Sequence, residues 1–534
     1  MKTARFNASI LSAALLGAVL SGVSFTPASA QLPPKSQPPV PPITDVAQWV
    51  TPGLRQWQAQ DGQLTLTSDA RIVLPKSADT LLTDNADLLA DDIVAIGGPR
   101  LIVVKGAAAR PGDIVFDLND PKIASSSPDA YSLDIGDRVT IRAAARPGLF
   151  YGAESVVQLL KYDPTRSRLP RGQAADWPDY AARTLMLDVG RRYFEVSQLD
   201  NTMREMAWLK LNTLHLHFTD WPAFRLNSPK YPGLAAPQSY NKADIAHLEA
   251  TAKRYNITII PEIDLPAHAV ALTDYRPSLG FTCDSMRHSD WLDRAAGDRA
   301  AGKAWAIDIT RDDNRAWLKG LLDEFIPWFS GPYFHIGGDE YQYDPDKVRC
   351  PELMQAVKDR GLQYPGDVFV DWINETDKVV RAHGKTTVIW NWWRFKADQT
   401  SIQPDKDIVI ETWNTPRLKD ILADGYKVII SPEDKLYVVP GIENFDGSNY
   451  GVVDSAGIYE NFPMEKGPNV LGYGVDLWTD AAEGRTDAFL LGKVYEPMAV
   501  LSERMWSDKK SPDLATFLAR LNKTSVAPRG DPER

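Results

Sequence analysis

"TIIPEID", residues 258–264, is a short run of β-branched and apolar side chains that stops on an acid. Alone it predicts one strand. The same pattern precedes it in "TLMLDVG" (184–190) and "TLHLHFTD" (213–220). It follows in "PYFHIGGDE" (332–340), "TTVIWNW" (386–392), "DIVIETWN" (407–414), "KVIISP" (427–432) and "VLGYGVDLW" (470–478). Helical or loop-rich stretches fill the intervals. Ser197 is read as an N-cap ahead of Leu199, Met203 and Met206, and Leu490, Val494, Met498, Leu501 and Met505 repeat at the same spacing. Both stripes are read as packing faces. Eight β-then-α units predict an α/β fold, a (β/α)8 barrel over residues 180–510. The doubly wound alternative lacks its Gly-rich loop after the first strand.

Upstream the texture is different. Over residues 49–165, "QLTLTSDARIVL" and "YSLDIGDRVTIRA" alternate like strands, while "NADLLADDIVAIG" and "FYGAESVVQLLKY" repeat like helices. This predicts a small α+β accessory domain. The polar, proline-containing "DPTRSRLPRGQAADWPDY" (163–180) is read as a linker, and residues 511–534 as a C-terminal tail. Residues 31–48 form a proline-rich leader. Before it, Lys2 and Arg5 precede an apolar run from Ile10 to Val23 and the small residues Ala28-Ser29-Ala30. Residues 1–30 are therefore read as a signal peptide, too short for a stable anchor, which predicts export to periplasm or medium. With no cysteine near the cut, no lipid anchor is expected.

Of 534 residues, 44% are apolar and 24% charged, with a net charge of −11 and no block of Lys and Arg. That balance argues against nucleic acid or an anionic membrane as partner. Cys283 and Cys350 are the two cysteines, too few for a disulfide scaffold or zinc-ligand spacing. They are either one disulfide joining the loops after strands three and four or two buried thiols. No metal and no cofactor are implied.

A barrel of this kind carries its active site at the carboxyl ends of its strands. There fall Asp188, Arg191, Asp220, Asp264, His268, Asp339, Glu340, Trp390, Trp413, Trp478 and Asp480. Gly337 and Gly338 break the pleat at the end of strand four, so Asp339 and Glu340 both reach the barrel mouth. Each raises the other's cost of ionisation, which keeps one carboxyl protonated near neutral pH. A proton donor beside a fixed anion suits cleavage of a glycosidic bond. Ordinary two-carboxylate schemes, however, place the acids about 5–9.5 Å apart across that bond. Adjacent acids need another nucleophile, and a 2-acetamido sugar brings its own.

"HIGGDE", with "PEIDLPAHA" (261–269), "TLMLDVGRRYF" and "LHLHFTD", resembles glycoside hydrolase family 20, the β-N-acetylhexosaminidases and lacto-N-biosidases. The similarity runs from about residue 50 to 507 and takes in "PDAYSLDIGDRVTIRAAARPGLFYGAESVVQLL", which is similar to the family's N-terminal domain. The resemblance implies retaining, substrate-assisted hydrolysis of a glycan or glycoconjugate bearing a 2-acetamido sugar. Glu340 would be general acid, then general base. Asp339 would orient the acetamido group and stabilise the charge that develops on it. Tyr437 matches a tyrosine bonded to the acetamido carbonyl, and Arg191 an arginine holding sugar hydroxyls. Asp220 and His268 match a pair that tunes the acid, with Asp264 a supporting acceptor. Trp390, Trp413 and Trp478 match the aromatic walls of the sugar pocket, where indole covers apolar C–H faces rigidly. Arg183 and Asp188 are alternatively a simple rim pair, and His215 and His217 are read as satisfied core histidines.

Several positions depart from the family pattern. Ala267 stands in "PAH", "WPAFR" follows Asp220, Asp480 replaces the usual Glu, and "VV" follows Tyr437 without the acid two residues on. These surround sugar recognition and leave the acid pair intact. Removal of terminal β-linked GlcNAc or GalNAc is the leading expectation. "W-x-D" resembles the lacto-N-biosidase branch, so release of a Gal-GlcNAc disaccharide stands as the alternative, beside a non-catalytic carbohydrate binder.

Overall fold

The computed structural model describes residues 44–287, 302–341, 350–394, 400–442, 450–508 and 510–528. Residues 1–30, read as a signal peptide, and most of the proline-rich stretch 31–48 lie outside the described residues.

The eight runs are the eight strands of a closed parallel barrel: β1 (Ala182–Asp188), β2 (Thr213–His217), β3 (Thr258–Leu265), β4 (Tyr333–Gly337), β5 (Thr386–Trp390), β6 (Val409–Thr412), β7 (Lys427–Ile430) and β8 (Val470–Leu477). Each pairs with the next, and β8 closes on β1 with Leu477 opposite Leu187. Seven of the eight residues of β3 are buried, because barrel interior and helix ring cover its two faces. Register sets the chemistry. Glu262 lies level with His217 on β2 and His335 on β4, and His217 lies level with Asp188 on β1. A short strand, Tyr437–Val438, adds to the carboxyl end of β8 opposite Asp476 and Leu477, which brings Tyr437 to the mouth.

Ahead of the barrel stands a seven-stranded sheet, ordered Gln56–Thr65, Arg168–Asp176, Tyr131–Ile135, Val139–Ala143, Ile114–Leu118, Arg71–Leu74, Ile102–Lys105. Helix Arg146–Tyr162 packs against it closely enough that a Cβ on Gly152 would meet Ile141 Cγ2 at 2.3 Å. Within the stretch read as a linker, Arg168–Asp176 is instead the second strand of this sheet, between Gln56–Thr65 and Tyr131–Ile135. Leu169 and Ala174 face its core, and Pro170 sits by a register shift where a missing N–H is tolerated.

Other local expectations also change. The helix after β1 starts at Val196, so Ser197 lies inside it, not at its cap. In the C-terminal segment, helix Leu514–Thr524 buries Phe517 and pairs the buried Arg520 with Glu503 at 2.6 Å. The stripe from Leu490 to Met505 is buried along helix Asp487–Trp506. Among the described residues, no helix is long and apolar enough to cross a membrane.

Buried charges join the sheet to the barrel. Lys210 Nζ lies 3.1 Å from Asp176 and 4.5 Å above the Trp506 ring, with no solvent exposure at either charge. Removing one partner of such a pair strands the other in a dry site. Lys210→Ala is therefore expected to lower unfolding free energy by about 3–5 kcal/mol, read from the urea midpoint. A loss below about 1 kcal/mol, the size for an exposed pair, would contradict this assignment. Arg183 belongs here too. It pairs with Asp129 at 2.8 Å at the amino end of β1, so it forms no rim pair with Asp188 at the other end.

Candidate active site

The acids sit where the β4 backbone turns. Gly337 and Gly338 have φ of +72° and +89°, and Glu340 itself has φ +48°. Gly337 admits no side chain, since a Cβ there would lie 1.8 Å from Asp264 Oδ1. The left-handed turn cancels strand alternation, and Asp339 and Glu340 converge on one imidazole. His268 Nε2 lies 3.4 Å from Asp339 Oδ2 and 3.5 Å from Glu340 Oε2. Its Nδ1 donates to Asp220 Oδ2 at 3.0 Å. Both ring nitrogens thus face carboxylates. Burial alone would favour neutral imidazole, but Asp220 and Asp339 outweigh it and hold His268 protonated well above its ordinary range.

Burial pushes the Glu340 carboxyl up to about 7; His268 draws it down and Asp339 drives it up. Burial, reinforced by Asp339, holds Asp264 well above the usual carboxylate range. Asp220 behaves oppositely: burial opposes its charge, but Arg191, His268 and His217 keep it well below that range. Three carboxyl groups within one mouth therefore differ in protonation, and a donor can stand beside a fixed anion.

Arg191 is braced by Asp188 at 3.0 Å, Asp220 at 2.9 Å and Asp480 at 3.1 Å, with its guanidinium 5.2 Å above the Trp478 ring. Burial lifts Asp480 to about 6 against the pull of Arg191. Asp188 also accepts from the Thr479 backbone and hydroxyl, so its role is to hold Arg191 and the β8 loop. Trp390, Trp478 and Tyr437 form one cluster with Met186 and Val439, and Trp413 and Tyr450 pack against it. Trp390 is nearly fully buried and donates its N–H to Glu262 at 2.8 Å, which makes it a floor more than a wall. Trp392 stacks parallel to Trp413 at 6.2 Å, whereas Trp393 packs on Tyr426 away from the mouth.

The fold thus gathers the expected residues Arg191, Asp220, Asp264, His268, Asp339 and Glu340 around one mouth, with Tyr437, Trp390, Trp413, Trp478 and Asp480 beside them. Cys283 and Cys350 form a disulfide joining the loops after β3 and β4. Three neighbours went unread in the sequence. Trp305 donates its N–H to the Glu340 carbonyl at 3.1 Å and covers the His268 ring at 4.3 Å. Tyr450 lies against Tyr437 at 6.2 Å. Glu262 accepts from both His215 and His217. Glu262 lies in "PEIDLPAHA", but nothing in a linear motif says which way a strand residue faces; Trp305 and Tyr450 lie in loops with no pattern.

His215, His335 and Glu411 each bring one ligand atom to within 4.8 Å of the others. The His215 and His335 rings stack at 4.8 Å and 24°. Gly337 N–H donates to His335 Nδ1, and burial lowers that imidazole to about 3, leaving it neutral. The cluster reads as a buried core layer in which His215 Nδ1 lies 3.3 Å from Glu411.

Comparison with known proteins identifies the family. The profile of "Glycosyl hydrolase family 20, catalytic domain" matches residues 180–509, and that of "Glycosyl hydrolase family 20, domain 2" matches residues 47–177. The chain is 27% identical over 417 residues to a lacto-N-biosidase of Bifidobacterium bifidum, covering 76% of this chain but 35% of that protein. It is 23% identical over 431 residues to beta-hexosaminidase 1 of Coccidioides posadasii, covering 72% and 71% of the two chains. The crystal structure of a beta-N-acetylhexosaminidase from Bacteroides fragilis superposes with a TM-score of 0.73 at 21% identity, over 89% of this chain and 94% of that one.

Proposed function

Because the chain belongs to glycosyl hydrolase family 20 and is a glycosidase, we propose that it is an exported enzyme removing terminal β-linked N-acetylhexosamine by substrate-assisted catalysis. One observation carries the reading: neighbouring acids, turned to the same side by a left-handed backbone, share His268 yet differ in environment. Glu340, lifted to about 7 by burial, gives its proton to the leaving oxygen. The substrate's acetamido oxygen attacks the anomeric carbon as that bond breaks, forming an oxazolinium ion. Asp339 steadies the positive charge and Tyr437 holds the carbonyl. Water, deprotonated by Glu340, then opens the ring with net retention. Trp478 and Trp413 cover the apolar sugar face, and Asp480 and Arg191 take hydroxyls.

Release of a Gal-GlcNAc disaccharide is the second reading. It is favoured by Asp480, whose side chain is one methylene shorter than Glu and is held by Arg191 at 3.1 Å. Aryl β-GlcNAc and aryl β-lacto-N-bioside, assayed side by side, separate the two. Turnover of the first alone is expected. Turnover of the second alone transfers the assignment to disaccharide release, and binding without turnover of either marks a carbohydrate binder.

A further inference from the structure

His268 is the upper end of a longer buried chain. Asp220 Oδ2, which accepts from His268, also accepts from His217 Nε2 at 3.0 Å. His217 Nδ1 donates to Glu262 Oε2 at 2.5 Å, and His215 Nε2 donates to the same oxygen at 3.0 Å. Acid and imidazole alternate from the mouth to the middle of the barrel, with His217, Glu262, His215 and Asp220 all buried. Because both nitrogens of His217 face carboxylates, no neutral tautomer satisfies the two contacts, and the ring must carry charge.

We propose that Glu262 is a positioning residue for the acid/base: by holding His217 as an imidazolium it keeps Asp220 ionised and aimed at His268, and so sets the pH range of Glu340 from within the barrel. The proposal rests on Glu340 as acid/base. Glu262 also accepts the Trp390 N–H, so the sugar pocket and the proton chain share one anchor.

Other ionisable groups face this chain. Around Glu262 they are His335 on β4 at 3.3 Å, Glu411 on β6 and Asp476 on β8 through His215, and Asp264 on β3 itself. Around Glu340 they are His268, Asp339, Arg191, Asp220 and Tyr450. Burial works against charge on His217, but Glu262 and Asp220 hold it well above its ordinary range.

Glu262→Gln removes the anion that keeps His217 charged and preserves an oxygen for Trp390. His217 then loses its proton and turns its remaining N–H to Asp220. Along the chain the positive charge lost stands one link nearer Glu340 than the negative one, so the acid becomes harder to ionise. The alkaline limb of kcat/KM is expected to move up by about 0.5–1 pH unit, and Glu262→Asp, which keeps the charge, to return it toward the parent position. His217→Gln, one link nearer, is expected to shift the limb in the same direction and decides the matter should Glu262→Gln fail to fold. A limb that stays in place or moves down, whatever the loss in kcat, overturns the proposal. Glu340→Gln run in parallel separates the two failures: full activity there removes the acid/base assignment itself.

Discussion

Glu340→Gln is expected to cut turnover of a β-GlcNAc joined to another sugar by about 10³-fold, within the 10²–10⁴ range for removing a general acid. An aryl β-GlcNAc with an activated leaving group is expected to lose far less in its first step. The difference follows from the leaving oxygen. A sugar alkoxide departs only when protonated, whereas an activated phenolate leaves with little help. The same residue predicts the pH profile. Glu340 must hold its proton to act as acid, and burial places its titration at about 7. Activity on the sugar-linked substrate should therefore fall as pH rises through about 7, and this limb should vanish in Glu340→Gln. Initial rates on both substrates from pH 4 to about 9 check both points. A variant with unchanged rates on the sugar-linked substrate would show that another group donates the proton.

Asp339→Asn is expected to lose about 10²–10³-fold on both kinds of substrate. Asparagine keeps the size of the side chain but not its charge. In the proposed mechanism, what disappears is the anion beside the cationic oxazolinium, which would form whatever the leaving group. Asp339 Oδ1 has no hydrogen-bond partner among the described residues, and its other oxygen faces His268 at 3.4 Å. One oxygen thus faces His268, and in the proposed mechanism the other takes the acetamido N–H. Leaving-group independence distinguishes this variant from Glu340→Gln. Were Asp339→Asn to spare aryl substrates, Asp339 would belong to the acid's environment and not to the intermediate. A substrate with a plain hydroxyl at C2 provides the control. Hydrolysis of it at comparable rate would remove the internal nucleophile from the reaction.

Much of this site was legible because it is local. Gly337, Gly338, Asp339 and Glu340 are consecutive, and two glycines before two acids at a strand end announce a turned backbone. Asp264 and His268 lie four residues apart, and Arg191 follows β1 at once. Side chains contributed by distant strands were legible only as members of a motif. That Arg191 is held by Asp188, Asp220 and Asp480 together depends on the barrel closing β8 onto β1. Arg183 shows the same limit in reverse: five residues from Asp188, it lies at the opposite end of the strand, paired with Asp129 just ahead of the accessory strand Tyr131–Ile135.

From its sequence alone the chain declared eight parallel strands, the helices between them and the acid pair at the end of the fourth. Those features follow from residue periodicity and from what two glycines permit, both short-range properties. Tertiary structure decided that Arg168–Asp176 is a strand, because its partners lie at residues 56–65 and 131–135. It also decided that Glu262 and His217 join Asp220 and His268 in one chain, because a hydrogen bond across a barrel depends on register between strands and not on spacing along one.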